Sequence, residues 1–142
     1  MTLFFLGNVF LIDIPKLTKA LDDALNLNHF RTSIFKTGVF PSARHPKIFW
    51  LGVSRGTKKL ITLHNKVKKT ALPFKKGRQK EPFIPHITLG RAKRSYRKID
   101  ALPFLKYVYS SIEFNINSVA LYESQLSPNG AVYKVLTKFP LN

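Results

Sequence analysis

The apolar positions of the chain change period along its length, and each change marks a new element. Residues 2–6 form a short apolar run of strand type. Leu17, Ala20, Leu21, Ala24 and Leu25 then fall at i, i+3, i+4, i+7 and i+8, one face of a helix. Asp13 stands where an N-cap belongs and Pro15 falls in the first turn, so the spacing predicts an amphipathic helix ending near residues 26–28, its stripe turned to the core.

Residues 30–36 and 47–53 read as strands. The second is apolar enough at Ile48, Phe49, Trp50 and Leu51 to be buried on both faces, and Gly38, Pro41 and Pro46 place a loop between the two. Leu60, Leu63, Val67 and Ala71 predict a second helix over residues 57–71, with Lys58, Lys59, Lys66, Lys68 and Lys69 around its stripe. Pro73, Gly77 and Pro82 punctuate a basic loop. Residues 86–89 read as a third core strand, residues 103–106 fit no template well, and residues 111–116, 119–125 and 131–139 supply further strands. Ser127, Pro128, Asn129 and Gly130 turn the last two into an antiparallel hairpin. Short strands alternating with two helices predict an α+β fold. The order strand, helix, strands occurs twice, and overlaying the copies sets Thr2-Leu3 on Thr88-Leu89 and Met1 on Ile87.

With 142 residues, 44% of them hydrophobic and 13% aromatic, the chain is sized for a single domain, residues 1–142, with a real core. It holds no cysteine, which excludes disulfides and thiolate metal sites. No apolar run approaches the roughly 18 residues of a membrane span, so a soluble, cytoplasmic protein is expected, with no membrane partner. The formal net charge is +17, and the basic residues crowd between Lys66 and Lys98, where Glu81 is the single acid. A field of that sign and density favours polyanions and predicts salt-sensitive binding of nucleic acid or a phosphorylated ligand.

Side chains two apart on a strand share a face, roughly 6 to 7 Å apart, so His86 and Thr88 address one spot while Ile87 and Leu89 turn to the core. Arg91 changes face on a regular strand, and Gly90 offers the bend that brings it back. An imidazole, a hydroxyl and a fixed cation are what a phosphodiester site needs. His29, at a strand start, His45, in a Pro-rich loop, and His64, on the second helix beside its lysines, read as ordinary surface histidines. Phe40, Phe49, Trp50, Phe83 and Tyr133 have the chemistry to stack on bases, although most of them are expected in the core.

The run Phe83-Ile84-Pro85-His86-Ile87-Thr88-Leu89-Gly90-Arg91 resembles the second histidine motif of the two-histidine phosphoesterases, in particular the RNA 2',3'-cyclic phosphodiesterase or 2'-5' RNA ligase family. Thr2-Leu3-Phe4-Phe5-Leu6-Gly7 resembles the end of that family's first motif, and Phe40-Pro41 with Lys47 to Val53 resembles its middle strands. Leu121-Tyr122-Glu123-Ser124, Ser127 to Gly130, Val132-Tyr133 and Phe139-Pro140-Leu141 are similar to its C-terminal hairpin.

The resemblance implies two pseudo-symmetric lobes of antiparallel sheet backed by helices, with a central basic cleft. It implies chemistry with no metal and no cofactor, in which one histidine activates water against a 2',3'-cyclic phosphate and another protonates the departing ribose oxygen. The reverse reaction joins RNA ends. By the same likeness His86 is the second catalytic histidine, Thr88 its hydroxyl partner, Thr2 the hydroxyl partner of the first histidine, and Arg91 a substrate-binding cation. The implied partners are RNA with 2',3'-cyclic phosphate or 2'-phosphate ends, tRNA fragments or nucleotides.

In one respect the sequence departs from the pattern, because only Met1 precedes Thr2. The first histidine and the strand and helix before it have no counterpart, so the domain is expected to be N-terminally incomplete, through a start assigned at an internal methionine or a true truncation. An enzyme with reduced or no turnover is therefore expected. The alternative is a catalytically disabled module that binds RNA ends or nucleotides. An uncovered sheet edge also predicts a homodimer formed through the incomplete lobe.

Overall fold

A computed structural model describes residues 1–75, 82–92, 99–128 and 130–142. In chain order the elements are α1 (Ile14–Ala24), β1 (Phe30–Ser42), β2 (His45–Val53), α2 (Thr57–Ala71), β3 (His86–Arg91), the single turn α3 (Leu102–Leu105), β4 (Ile112–Ile116), β5 (Ser118–Ser127) and β6 (Gly130–Pro140). This is the mixed α and β architecture, with antiparallel strand pairs, that the hydrophobic pattern predicts. Gly77, most of the basic residues between Lys76 and Lys98, and Asn129 of the predicted turn lie outside the described residues. Among the described residues no helix is long and apolar enough to cross a membrane.

The chain forms two compact units. The first gathers Met1–Leu3, Arg31–Thr62 and the segment through β3 and α3 to Phe114; the second gathers Phe4–Phe30, α2 from Leu63 onward and Asn115–Asn142.

In the first unit the sheet order is β3-β2-β1-β4. β1 and β2 make a long antiparallel hairpin in which Gly38, Pro41 and Pro46 all sit within strands, which corrects the loop expected there. The reason is steric. The Trp50 indole covers Gly38 so closely that a Cβ at position 38 would fall inside it, so glycine is required in mid-strand. Ile34, Val53 and Leu60 are buried, and the buried hydroxyls are satisfied, with Thr32 Oγ1 donating to the Arg55 carbonyl at 2.8 Å and Ser33 Oγ lying 2.9 Å from Ser54 Oγ. On the face of β2 opposite Trp50, Phe49 meets Phe104 of α3 edge to face at 5.2 Å.

β3 is an edge strand rather than the core strand expected from its sequence. Leu89 is 57% exposed, because an edge strand has a neighbour on one side only and the ladder is broken at that residue.

In the second unit β5 and β6 form the predicted antiparallel hairpin, and α1 packs on β6. Asp13 does occupy the N-cap position of α1, but its side chain makes no capping bond. Leu17, Leu21 and Leu25 are buried as their spacing requires. The C-terminus is tied in by main-chain bonds, His29 N to Asn142 O at 2.6 Å and Asn142 N to Leu27 O at 2.9 Å.

Residues 2–6 are not a strand. β propensity becomes a strand only where a ladder of main-chain bonds forms. The Lys75 ammonium takes the place of a ladder there, donating to the carbonyls of Phe5 at 2.7 Å and Leu6 at 3.3 Å while lying 5.5 Å from the centre of the Phe4 ring.

Along α2 the stripe Leu60, Leu63, Val67 and Ala71 is buried as predicted. His64 is buried with it, 5% exposed, and not on the surface. It stands four residues after Leu60 and three before Val67, which puts it on the stripe, and its ring meets Phe4 at 6.2 Å. His29 is exposed before β1 and His45 is exposed as the first residue of β2, not in a loop.

Candidate active site

The register of β2 and β3 determines what shares a face with His86. Gly52 pairs with His86, Leu51 with Ile87 and Trp50 with Thr88; the next pair is Phe49 with Gly90, so Leu89 is an extra residue with no partner on β2. Below this bulge Ile48 pairs with Arg91, and Ala92 N donates to Lys47 O at 2.9 Å. Directly paired residues point to the same side of a sheet, and Ile48, Trp50 and Gly52 alternate on one side of β2. The bulge therefore carries Arg91 to the face that holds His86 and Thr88, where an unbroken strand would have turned it away.

The same bookkeeping on β1 adds Gly38, opposite Trp50, Phe40, opposite Ile48, and Lys36, opposite Gly52. Lys36 is exposed and is a second cation on this face; its signal lay in the cross-strand partner of Gly52, which sequence periodicity alone does not reveal.

His86 is half-buried at the start of β3, directly after the buried Pro85. Its Nδ1 lies 2.6 Å from the Ile84 carbonyl oxygen. A carbonyl oxygen only accepts, so Nδ1 carries the proton in this bond and Nε2 is the nitrogen with a free lone pair. A neutral imidazole so held is a base through Nε2; once protonated, it is an acid through the same atom. Sequence reasoning missed Ile84 as a functional group, because a main-chain carbonyl leaves no mark in residue type.

Aromatic rings enclose the imidazole. Phe40 meets it edge to face at 5.1 Å with an interplanar angle of 84°, Trp50 lies 5.9 Å away, and Phe40 and Trp50 are 5.0 Å from each other. The indole spans Gly38 and Gly52, where a Cβ at position 52 would come within 2.8 Å of Cζ3. Trp50 Nε1 is buried and has no hydrogen-bond partner among the described residues. Such a donor costs about 1–3 kcal/mol, so hydrogen bonding does not explain where the indole lies.

Of the other aromatics with stacking chemistry, Phe49 faces the opposite side of the sheet with Phe104, and Phe83 is half-buried just before β3. Tyr133 is not in the core but 66% exposed on β6, edge to face with Tyr122.

Thr88 and Arg91 are exposed at the site face. Thr2 is exposed and belongs to the same compact unit as β3. An acid and base nitrogen, a hydroxyl donor and a guanidinium on one strand can bind a phosphate and move a proton on or off one of its ester oxygens.

A profile of the 2'-5' RNA ligase superfamily matches residues 1–127 of the chain. The chain is similar to the RNA 2',3'-cyclic phosphodiesterase of Aquifex aeolicus (strain VF5), with 35% identity over 148 residues that cover 99% of this chain and 77% of that protein. It is 30% identical to the RNA 2',3'-cyclic phosphodiesterase of Methanocaldococcus jannaschii over 143 residues, 97% of this chain and 78% of that one. In fold it is similar to the crystal structure of E. coli LigT complexed with 3'-AMP, with a TM-score of 0.76 and 23% identity over 99% of this chain and 75% of that chain. The extent of the profile match and the identity to these relatives show that the chain belongs to the 2'-5' RNA ligase superfamily.

Proposed function

We propose that the chain is a phosphodiesterase of RNA ends, opening a 2',3'-cyclic phosphate to a 2'-phosphate without a metal or cofactor. The observation that carries this reading is the His86 imidazole, tied through Nδ1 to Ile84 O and sharing its face with Thr88 and Arg91. The relatives bearing the name RNA 2',3'-cyclic phosphodiesterase support the reaction class.

In the hydrolytic direction water attacks phosphorus, the bond from phosphorus to O3' breaks, and O3' leaves with a proton. Neutral His86 takes a proton from the attacking water through Nε2, and O3' takes its proton from a second acid or from solvent water; in the reverse, ring-closing direction the imidazolium returns its proton to the water that departs. Thr88, and Thr2 by the family likeness, donate hydrogen bonds to the non-bridging oxygens, and Arg91 balances their charge. Acid and base duties call for two groups. His86 is one of them in this scheme, and such acid or base help is worth about 10²- to 10⁴-fold in rate.

A test incubates an oligoribonucleotide ending in 2',3'-cyclic phosphate with the protein in excess chelator and identifies the product. A 2'-phosphate supports the reading. A 3'-phosphate, or activity that appears only with added metal, contradicts it. Retention of the RNA end without turnover at enzyme excess selects the binding module instead.

A further inference from the structure

We propose that Trp50 is a positioning residue for His86: laid across Gly38 and Gly52, its indole builds with Phe40 a wall that fixes the plane of the imidazole. This deepens the reading of His86 as the acid and base group and rests on it.

One hydrogen bond fixes a point and not a plane. Held by that bond alone, the imidazole can still swing, which turns Nε2 away and weakens the bond from Nδ1 to Ile84 O. Phe40, nearly perpendicular to the imidazole at 5.1 Å, and Trp50, inclined by 57° at 5.9 Å, limit that swing from two directions. Trp50 can lie there only because Gly38 and Gly52 have no Cβ; position 38 is directly opposite Trp50 on β1, and position 52 is two residues along β2 and opposite His86 itself. The indole gains no hydrogen bond from this placement, since Nε1 is buried without a partner among the described residues. Two glycines make room for one ring beside one imidazole, and the function this serves is the direction of Nε2. A misplacement of about 1 Å in an acid or base group is enough to slow a reaction on the order of 10²-fold.

The test uses the full chain with Trp50→Leu, Trp50→Phe and Gly38→Ala. It reads kcat and KM on a nucleoside 2',3'-cyclic phosphate, the imidazole nitrogen shifts of His86 by NMR, and the melting curve of each variant. Trp50→Leu and Gly38→Ala are expected to lower kcat by about 10- to 100-fold with KM near its parent value, and to reduce the Nδ1-protonated tautomer of His86. Trp50→Phe, which keeps a ring in place, recovers most of both. A rise in KM with unchanged kcat makes Trp50 a stacking platform for a base and overturns the proposal. So do His86 nitrogen shifts in folded Trp50→Leu that match the parent. If Gly38→Ala fails to fold, the two Trp50 variants decide. If the parent turns over no cyclic phosphate, the functional reading fails, while the nitrogen shifts still decide whether Trp50 holds the ring.

Discussion

Arg91 stands opposite Ile48 across the ladder of β2 and β3, and the unpaired Leu89 is what allows it. Counted without a bulge from the pair of Trp50 and Thr88, Arg91 would face Lys47 on the other side of the sheet. With the extra residue it joins His86 and Thr88. Arg91→Ala is expected to lower kcat/KM for a cyclic phosphate by about 10- to 100-fold, the worth of a hydrogen bond to a charged group. Deletion of Leu89 makes the strand regular and leaves Arg91 opposite Ile48, so activity stays near the parent value. A folded deletion variant as impaired as Arg91→Ala would refute this reading of the bulge.

Thr88 offers the substrate one hydroxyl and little else. Thr88→Val preserves shape and removes the donor, and is expected to cost about 10-fold or more in kcat/KM, while Thr88→Ser keeps most of it. Thr2→Val is expected to behave like Thr88→Val if Thr2 serves the same phosphate. Steady-state kinetics on one substrate checks all three.

Much of this fold was legible in the sequence, because helix stripes and the hairpin signal report their own burial. Leu17, Leu21 and Leu25 on α1 and the set Leu60, Leu63, Val67 and Ala71 on α2 are buried where a period of 3.6 puts them. What stayed hidden depends on neighbours. Gly38 and Pro41 read as loop residues until the Trp50 indole fills the space above Gly38. Residues 2–6 have β propensity but do not form a strand, and Leu89 is apolar but lies on an edge. At the candidate site His86 and Thr88 were visible as a strand pair and Arg91 as a problem of face, which the register answers through Leu89 rather than through Gly90 alone. The Ile84 carbonyl and Lys36 left no signal, since one is main chain and the other gains meaning only from its cross-strand partner.

The burial contrast has its own test in equilibrium unfolding. Leu60→Ala removes a side chain that is 1% exposed and is expected to cost about 2–5 kcal/mol, whereas Leu89→Ala, on the exposed edge, changes stability by about 0.5 kcal/mol or less. Similar losses at the two positions would put β3 back in the core.

A net charge of +17 makes RNA affinity a salt-dependent quantity. The logarithm of the association constant for single-stranded RNA is expected to fall linearly with the logarithm of salt concentration, by about 0.7 per phosphate neutralised. Binding by titration at several salt concentrations checks this, and a flat dependence would remove the electrostatic basis of the RNA reading.

The role of His86 is tested most directly by single-turnover hydrolysis of an RNA 2',3'-cyclic phosphate end, with enzyme in excess and chelator present, for the parent chain and for His86→Ala. The parent is expected to release the 2'-phosphate, and His86→Ala, still folded by its melting curve, to be slower by about 10²- to 10⁴-fold. Equal rates for the two proteins, or a parent rate abolished by the chelator, would contradict acid and base catalysis by His86.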